Sequence, residues 1–369
     1  MKEKIQIAED IKIAKTLPSA FYRSEKLFSE VQNHIFEKSW QFVCSTSELP
    51  KDSGYFPFEF IQNLIPEPLL FSRDKLGALF CLSNVCTHRG NLLAYEPGSG
   101  NLIRCRYHGR CFRMDGRFRS MPGFEGVENF PDDSDHLTNV PFGELGGLLY
   151  AALRPEVPFK DWIRPVRERL YWLPMDTLIP VPEADQDFDV SANWALYCDN
   201  FLEGFHIPYV HPALNAAIEI ENYEVNLFET GSLQIGFAKE GEPCFDSPKG
   251  SPDYGKRVYA YYFWLFPNLM LNFYPWGLSL NQVIPLSVDK CRIRYRTFRF
   301  SGMPFNRTLH AIEQTELEDQ LVVEATQRGI QSRFYNRGRY SPKHEQAVHH
   351  FHRLLVARLN AATMPENEQ

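Results

Sequence analysis

The stretch Cys86-Thr87-His88-Arg89-Gly90 and its counterpart Cys105-Arg106-Tyr107-His108-Gly109 each set one thiol and one imidazole ahead of a glycine. Sixteen residues separate His88 from Cys105. A tetrahedral zinc finger usually groups two cysteines in one half of its motif and two histidines in the other. One of each per half suits a [2Fe–2S] centre instead. There one iron takes two Cys and the other two His, each loop giving one ligand to each iron. Neutral imidazoles in place of two thiolates raise the reduction potential well above that of a four-Cys cluster. The chemistry implied is one-electron transfer. A structural zinc site, or four unrelated core and loop residues, is the plainer alternative. Four ligand types in one register, with Gly after each loop, speak against it. The visible spectrum separates the two, since the iron–sulfur protein is expected to be brown as purified and a zinc protein colourless.

The 369 residues suffice for two or three domains with cores of their own. Hydrophobic content of 44% and charged content of 23% are those of a soluble globular chain. A net charge of −7 with no long Lys/Arg run argues against a nucleic-acid partner. The opening Met1-Lys2-Glu3-Lys4-Ile5-Gln6 lacks the apolar stretch of a signal peptide. The most apolar segment, 258–271, is broken by Pro267-Asn268 and is too short to span a bilayer. A cytoplasmic protein without membrane contact is expected. Eight cysteines in a chain this long make no disulfide framework. Cys111 lies near Cys105, but Cys-x-x-His is complete without it, and a free Cys commonly serves as a small buried residue.

Residues 17–49 read as a helix starting near Ser24 or Glu25, with Phe28, Val31, Ile35 and Phe36 on one face. From about 51 to 153 short strands alternate with Gly and Pro turns, as at 68–72, 79–84, 102–107 and 148–153, so the Cys/His loops sit in the turns of a small β domain. A Pro-rich linker follows, with Pro155, Pro158, Pro165, Pro174, Pro180 and Pro182. Beyond it, strands are expected at 225–229, 232–237, 258–266, 269–274, 278–285 and 291–300, the last five as an antiparallel meander. Helices are expected at 199–207 and 305–330. A terminal helix over 342–361 has Ser341 as N-cap and Pro342 as first residue, and a polar tail follows Met364.

The segment from Asp199 to Pro212 holds His206 and His211, five residues apart. On a regular helix they would point about 140° apart. Pro208 lies between them and is expected to break or widen the helix, bringing both imidazoles to one side. Two His and one carboxylate would leave open positions on Fe(II) for O₂ and substrate. Glu316, Glu318, Asp319 and Glu324 all remain candidates by spacing, on the later helix where apolar Leu309, Ile312, Leu321, Val322 and Ala325 define a buried flank. His349-His350-x-His352 is read as helix surface and packing, since no carboxylate or Cys accompanies it at ligand spacing.

Taken together these residues resemble the α subunit of the Rieske non-haem iron oxygenases over about residues 17–360. Cys-x-His-Arg-Gly and Cys-x-Tyr-His-Gly match the two cluster loops of the Rieske fold. Glu203, His206 and His211 match the family's Glu/Asp-x-x-His-x-x-x-x-His motif. The resemblance picks Asp319 as the third iron ligand. The strings Ser39-Trp40-Gln41-Phe42-Val43, Ser83-Asn84-Val85-Cys86 and Gln327-Arg328-Gly329 are similar to the choline monooxygenase and glycine-betaine oxygenase branch. The fold class implied is α+β. A small all-β Rieske domain (41–155) joins a catalytic domain (156–369) with a large antiparallel sheet flanked by helices, of helix-grip or START-like kind. An N-terminal helical segment (1–40) packs on the catalytic domain. The implied cofactors are a [2Fe–2S] cluster on Cys86, His88, Cys105 and His108, and mononuclear Fe(II) on His206, His211 and Asp319. O₂ is the oxidant, and NAD(P)H serves indirectly through a separate flavin/iron–sulfur reductase. A homotrimer is implied too, with Glu203 bridging His206 to His108 of a neighbouring subunit.

Aromatic residues crowd the meander, and Tyr209, Trp264, Phe273 and Trp276 are the candidates for a substrate pocket. An aromatic cage suits a quaternary ammonium or N-methyl compound (choline-, betaine- or carnitine-like) through cation–π attraction. The same rings would suit an aromatic hydrocarbon, which leaves a ring-hydroxylating dioxygenase as the second possibility. A soluble Rieske electron carrier, the third, leaves the second half of the chain unexplained.

Overall fold

The computed structural model describes residues 5–303 and 309–361, with side chains of 309–313 excepted. The side chains of the expected flank positions Leu309 and Ile312, and the tail after Met364, lie outside what the structure describes, while Leu321, Val322 and Ala325 of the expected buried flank are exposed. The chain forms two compact units: Glu37–Phe159, and a second built from Met1–Phe36 and Lys160–Gln369. The boundaries expected at 40/41 and 155/156 thus fall at 36/37 and 159/160. No helix among the described residues is long and apolar enough to cross a membrane.

The smaller unit holds three antiparallel sheets. One pairs β1 (Gln41–Ser45) with strands that come later in the chain. The second, in order β4-β3-β2-β5, contains β2 (Gly54–Ile61), β3 (Ile65–Arg73), β4 (Leu79–Ser83) and β5 (Gly98–Ser99). The third contains β6 (Leu102–Arg104), β7 (Cys111–Arg113) and β8 (Phe118–Ser120). The partners of β1 are β9 (Phe142–Leu145) and β10 (Leu148–Ala151). Leu70, Leu82, Ile103 and Phe112 are its fully buried centre, and Cys86 and Cys105 belong to the same core. One Cys/His loop follows β4; the other joins β6 to β7. The loops are built alike. Gly90 N donates to Cys86 O and Gly109 N to Cys105 O, both at 3.0 Å. Cys86 N donates to Asn91 O and Cys105 N to Arg110 O, both at 2.8 Å. The closing residues have φ of +69° and +76°, a left-handed geometry that glycine adopts without cost.

In the larger unit, Ser24 caps α1 (Glu25–His34) by accepting from Leu27 N. Val31, Ile35 and Phe36 are buried as their periodicity requires. Two short helices, α2 (Phe159–Trp162) and α3 (Arg164–Arg169), open the second stretch. The segment read as a linker also contributes β11 (Leu178–Pro180) and β12 (Gln186–Val190), both paired with the last strand of the sheet. Pro180 is tolerated there because β11 is an edge strand. The rest of the eight-stranded sheet is an antiparallel meander: β13 (Glu224–Phe228), β14 (Gly231–Phe237), β15 (Val258–Leu265), β16 (Leu269–Tyr274), β17 (Gly277–Ser287) and β18 (Lys290–Phe300).

The helix expected at 199–207 is instead three short ones: α4 (Trp194–Phe201), α5 (Ile207–Val210) and α6 (Pro212–Ala217). Pro208 and Pro212 sit in the first turns of α5 and α6, where a missing N–H costs nothing. The chain therefore breaks before His206 rather than at Pro208. The long α7 (Leu309–Gly329) ties down the start of α4. Glu324 accepts from Ser191 N and Gln327 from Asn193 N, both at 2.9 Å. The terminal α8 (Gln346–Ala361) begins four residues later than expected, because Ser341 closes a separate turn with Glu345. His349 and His352, read as helix surface and packing, are buried in the packing. His352 bridges Asp199 (2.8 Å) and Tyr340 (2.6 Å), and Tyr22 of the N-terminal segment donates to the same Asp199 (3.0 Å).

Glu316 on α7 is fully buried. It accepts from Tyr197 of α4, from Tyr295 of β18 (2.7 Å) and from Gln320 (3.0 Å). Burial pushes its pKa up to about 7, against the opposing hydrogen bonds from Tyr197, Tyr295 and Gln320. Between the ordinary carboxylate range and that value, the folded chain keeps a proton that the unfolded chain has released. Stability is therefore fully present below the ordinary range and falls as pH rises through about 7, by roughly 1 kcal/mol per pH unit within the window. Glu316→Gln removes the titration, so its Tm should fall less than that of the wild type between about pH 5 and 7. Parallel Tm curves would show that Glu316 is ionised in the folded state.

Candidate active site

Two groups of donor atoms stand out, one in each unit. In the smaller unit Cys86 and Cys105 are each 2% exposed. The rings of His88 and His108 lie 4.8 Å apart, centroid to centroid. Nδ1 of His88 is buried and finds no hydrogen-bond partner among the described residues. A buried ring nitrogen without a partner costs free energy unless something binds it. Two buried thiols and such an imidazole are a donor set that fits a cluster with two Cys and two His ligands. Burial resists ionisation of Cys105. The backbone N–H groups of Tyr107 and His108, the Cys86 thiol and the Asn91 amide outweigh burial and lower its pKa. His88 is held low first by burial and then by the positive charges of His108, Arg89 and Arg110. Tyr107 stacks on His108 at 3.7 Å, and Cys111 points its thiol at Gly109 O.

In the larger unit His206, His211 and Asp319 each offer a ligand atom, and these atoms lie within 4.8 Å of one another. His206 follows the break after α4, and His211 lies between α5 and α6. Glu203 Oε1 is 2.7 Å from His206 Nδ1, and its other oxygen accepts from His206 N at 3.0 Å. Glu318 Oε2 is 2.8 Å from His211 Nδ1. Ionised carboxylates only accept, so each Nδ1 carries a hydrogen; in the neutral imidazole each Nε2 then holds a lone pair that a metal could take. Both Nε2 atoms face Asp319 Oδ1, at 3.7 Å from His206 and 3.0 Å from His211. Asn200 Nδ2 donates to the same oxygen at 2.6 Å. Burial works against protonation of His211, but Asp319 and Glu318 outweigh it and raise its pKa. Glu318 is lowered, since hydrogen bonds from His211 and Gln314 overcome burial.

The four acids that spacing could not rank thus have four different environments. Asp319 meets the imidazoles, Glu318 orients His211, Glu316 is buried against two tyrosines and Glu324 holds the start of α4. Asn200 and Glu318 were not expected as partners of the ligand set. Their only sequence signal is proximity to His206 and Asp319.

A cavity of about 470 Å³ opens beside the three donors. Its sheet wall is one face of the meander. Gln234 lies opposite Tyr262, Tyr262 opposite Asn272, and Asn281 opposite Tyr295; directly opposed residues share a face. All five line the cavity. So do Tyr274 and Trp276, stacked at 5.3 Å, and Tyr259, edge-on to Tyr274 at 6.0 Å. Gln234 Oε1 and Asn272 Oδ1 are buried and find no partner among the described residues. Tyr259 and Tyr262 differ in parity and yet both face inward. The register slips between Gly236/Phe237 and Ala260/Val258, so Tyr259 is the extra residue of a β-bulge, a device that re-aims a side chain.

Of the four expected pocket aromatics only Trp276 lines the cavity. Tyr209 is 82% exposed. It stands two residues past buried Ile207, about 200° around α5. Phe273 lies opposite Tyr261 and packs on Phe263, on the far face of the sheet. Trp264 is on the cavity's face but farther along β15, where Phe351 of α8 covers it at 5.0 Å.

The profile of the Rieske [2Fe–2S] domain matches residues 39–131, and that of the ring hydroxylating α subunit (catalytic domain) matches 180–361. The carnitine monooxygenase oxygenase subunit of Escherichia coli strain K12 is 30% identical over 367 residues, covering 92% of this chain and 93% of its own length. The chloroplastic choline monooxygenase of Arabidopsis thaliana is 28% identical over 362 residues, covering 93% and 82%. Among solved structures, the quaternary ammonium Rieske monooxygenase CntA in complex with L-carnitine has a TM-score of 0.77 at 23% identity, covering 96% of this chain and 99% of that one. Naphthalene 1,2-dioxygenase from Rhodococcus sp. has a TM-score of 0.71 at 19% identity, covering 95% of each chain. At these identities the structural likenesses speak for the fold. The relative at 30% identity, spanned nearly end to end, goes further: this chain belongs to the Rieske non-haem iron oxygenases, oxidoreductases with a [2Fe–2S] domain and a mononuclear-iron catalytic domain.

Proposed function

We propose that this oxygenase hydroxylates a C–H bond of a quaternary ammonium or N-methyl compound, choline-, betaine- or carnitine-like. Hydroxylation of a methyl group on nitrogen releases an amine and formaldehyde; hydroxylation of the carbon bearing an alcohol gives an aldehyde hydrate. The observation that carries this is the aromatic wall of Tyr259, Tyr262, Tyr274 and Trp276 in the cavity beside His206, His211 and Asp319. Each ring face attracts a desolvated cation by about 0.5–2 kcal/mol. The names of the choline and carnitine monooxygenases similar to this chain support the same substrate class.

Cys86, His88, Cys105 and His108 would hold the [2Fe–2S] cluster, and His206, His211 and Asp319 the iron. When bound, these groups supply electrons singly and activate O₂ for attack on the C–H bond. The chain's own residues prepare that chemistry. Glu203 and Glu318 hold the two imidazoles in the tautomer that offers Nε2, and Asn200 steadies the Asp319 oxygen between them. The aromatic wall orients a cation, while Gln234 Oε1 and Asn272 Oδ1 offer acceptors to its hydroxyl or other donors. Glu203 would receive His108 from a neighbouring subunit of a homotrimer, and a separate NAD(P)H-dependent flavin/iron–sulfur reductase would supply the electrons.

Purified protein with NAD(P)H and a surrogate reductase, offered quaternary ammonium, N-methyl and aromatic compounds together, tests the substrate class. Formaldehyde or an aldehyde from the first two is expected; ring-hydroxylated product alone would overturn the assignment. Asp319→Ala should lose bound iron and turnover while the cluster spectrum stays, and unchanged turnover would remove Asp319 from the ligand set. Glu203→Gln should keep both metal centres and lower product formation about 10–100-fold. Normal product formation in that variant would remove the bridge.

A further inference from the structure

Arg110 follows directly on the second cluster loop, yet it is only 2% exposed. Its guanidinium lies over the rings of Phe118, Phe130 and Phe112, at 4.9, 5.5 and 5.8 Å. It donates to Asp135 twice, to the carboxylate oxygen Oδ1 and to the backbone oxygen at 3.3 Å. Asp135 also takes a hydrogen bond from the other loop, for Thr87, between Cys86 and His88, donates to the same backbone oxygen at 3.0 Å. A single residue outside both loops is therefore bonded to each of them. Its position is fixed in turn, since Asp132 N donates to Asp135 Oδ2 at 2.8 Å and Asp135 N to Asp132 O at 3.1 Å.

An ion pair with its cation buried (Arg110 2% exposed, Asp135 17%) is a costly way to join two loops, because Arg110 gives up its hydration. A neutral hydrogen bond would do the mechanical work alone. What the pair adds is a balanced field: a cation and an anion next to a centre whose charge changes by one when it is reduced. In a low-dielectric interior the loss of either partner leaves a bare charge that the centre feels. We propose that the Arg110–Asp135 pair is a positioning clamp, holding the two cluster loops in register and setting the reduction potential of the centre between them. The clamp rests on the assignment of Cys86, His88, Cys105 and His108 as cluster ligands. Reduction adds negative charge, so a bare Asp135 should lower the potential and a bare Arg110 should raise it. A role in folding alone makes no such distinction.

The test is a redox titration of the purified holoprotein, followed by the visible and circular dichroism bands of the cluster. Arg110→Met should shift the potential down and Asp135→Asn should shift it up. Each shift should be at least tenfold in the one-electron equilibrium constant, about 59 mV. The double variant should return close to the wild-type value. Thr87→Val leaves the charges in place and removes only the bond from the first loop. It should keep the wild-type potential and lose the cluster several-fold faster in the presence of an iron chelator. Single variants that shift the same way, or not at all, would overturn the electrostatic role. Wild-type cluster retention in Thr87→Val would overturn the clamp between the loops, and that measurement stands even if the charge variants fail to fold. Wild-type protein without the Rieske bands would overturn the ligand assignment itself, and the clamp with it.

Discussion

Three carboxylates, Glu203, Glu318 and Asp319, crowd around two imidazoles in a partly buried space, and the catalytic unit is organised by that crowding. Unpaired, so many negative groups would repel one another strongly at low dielectric. Two of the three are each matched with a ring N–H, and Asn200 supplies the third with a donor. The raised pKa of His211 expresses the excess of negative charge that remains. A divalent cation among the three donors would balance it. The site is thus held open by its neighbours in a geometry that favours a cation. The anchoring of α4 by Glu324 and Gln327 of α7 keeps the segment of His206 and His211 aligned with Asp319.

Much of this was legible in the sequence, for physical reasons that differ by element. The Cys/His loops were readable because one Cys and one His recur at fixed spacing in each and the closing glycines answer a left-handed φ. The meander was readable because long apolar strands end in recognisable turns. β11 and β12 were not, since three to five residues rich in Pro and acid resemble a linker until β18 gives them a partner. The course of the chain around His206 is hidden in the sequence for a related reason. A proline between two histidines suggests a broken helix, and only the tertiary structure shows that each proline begins a new one.

The cavity was the least legible part. Counting aromatics says nothing about which way each ring faces. Phe273 and Tyr274 are neighbours in sequence and look to opposite sides of the sheet. A better signal lay in the polar residues. Ser232 and Gln234, Asn272, Ser279 and Asn281, then Tyr295 and Thr297 fall on one face of the sheet, and all are nearly or fully buried. Polar groups buried in a row on one face mark a wall meant to meet something other than core.

The bulge at Tyr259 gives this wall an adjustable part. A bulge adds one residue without changing the pairing on either side of it. Moved by one position along β15, it would turn a different side chain inward and leave His206, His211 and Asp319 where they are. The shape of the chamber can therefore change through one strand while the segments carrying His206, His211 and Asp319 keep their places.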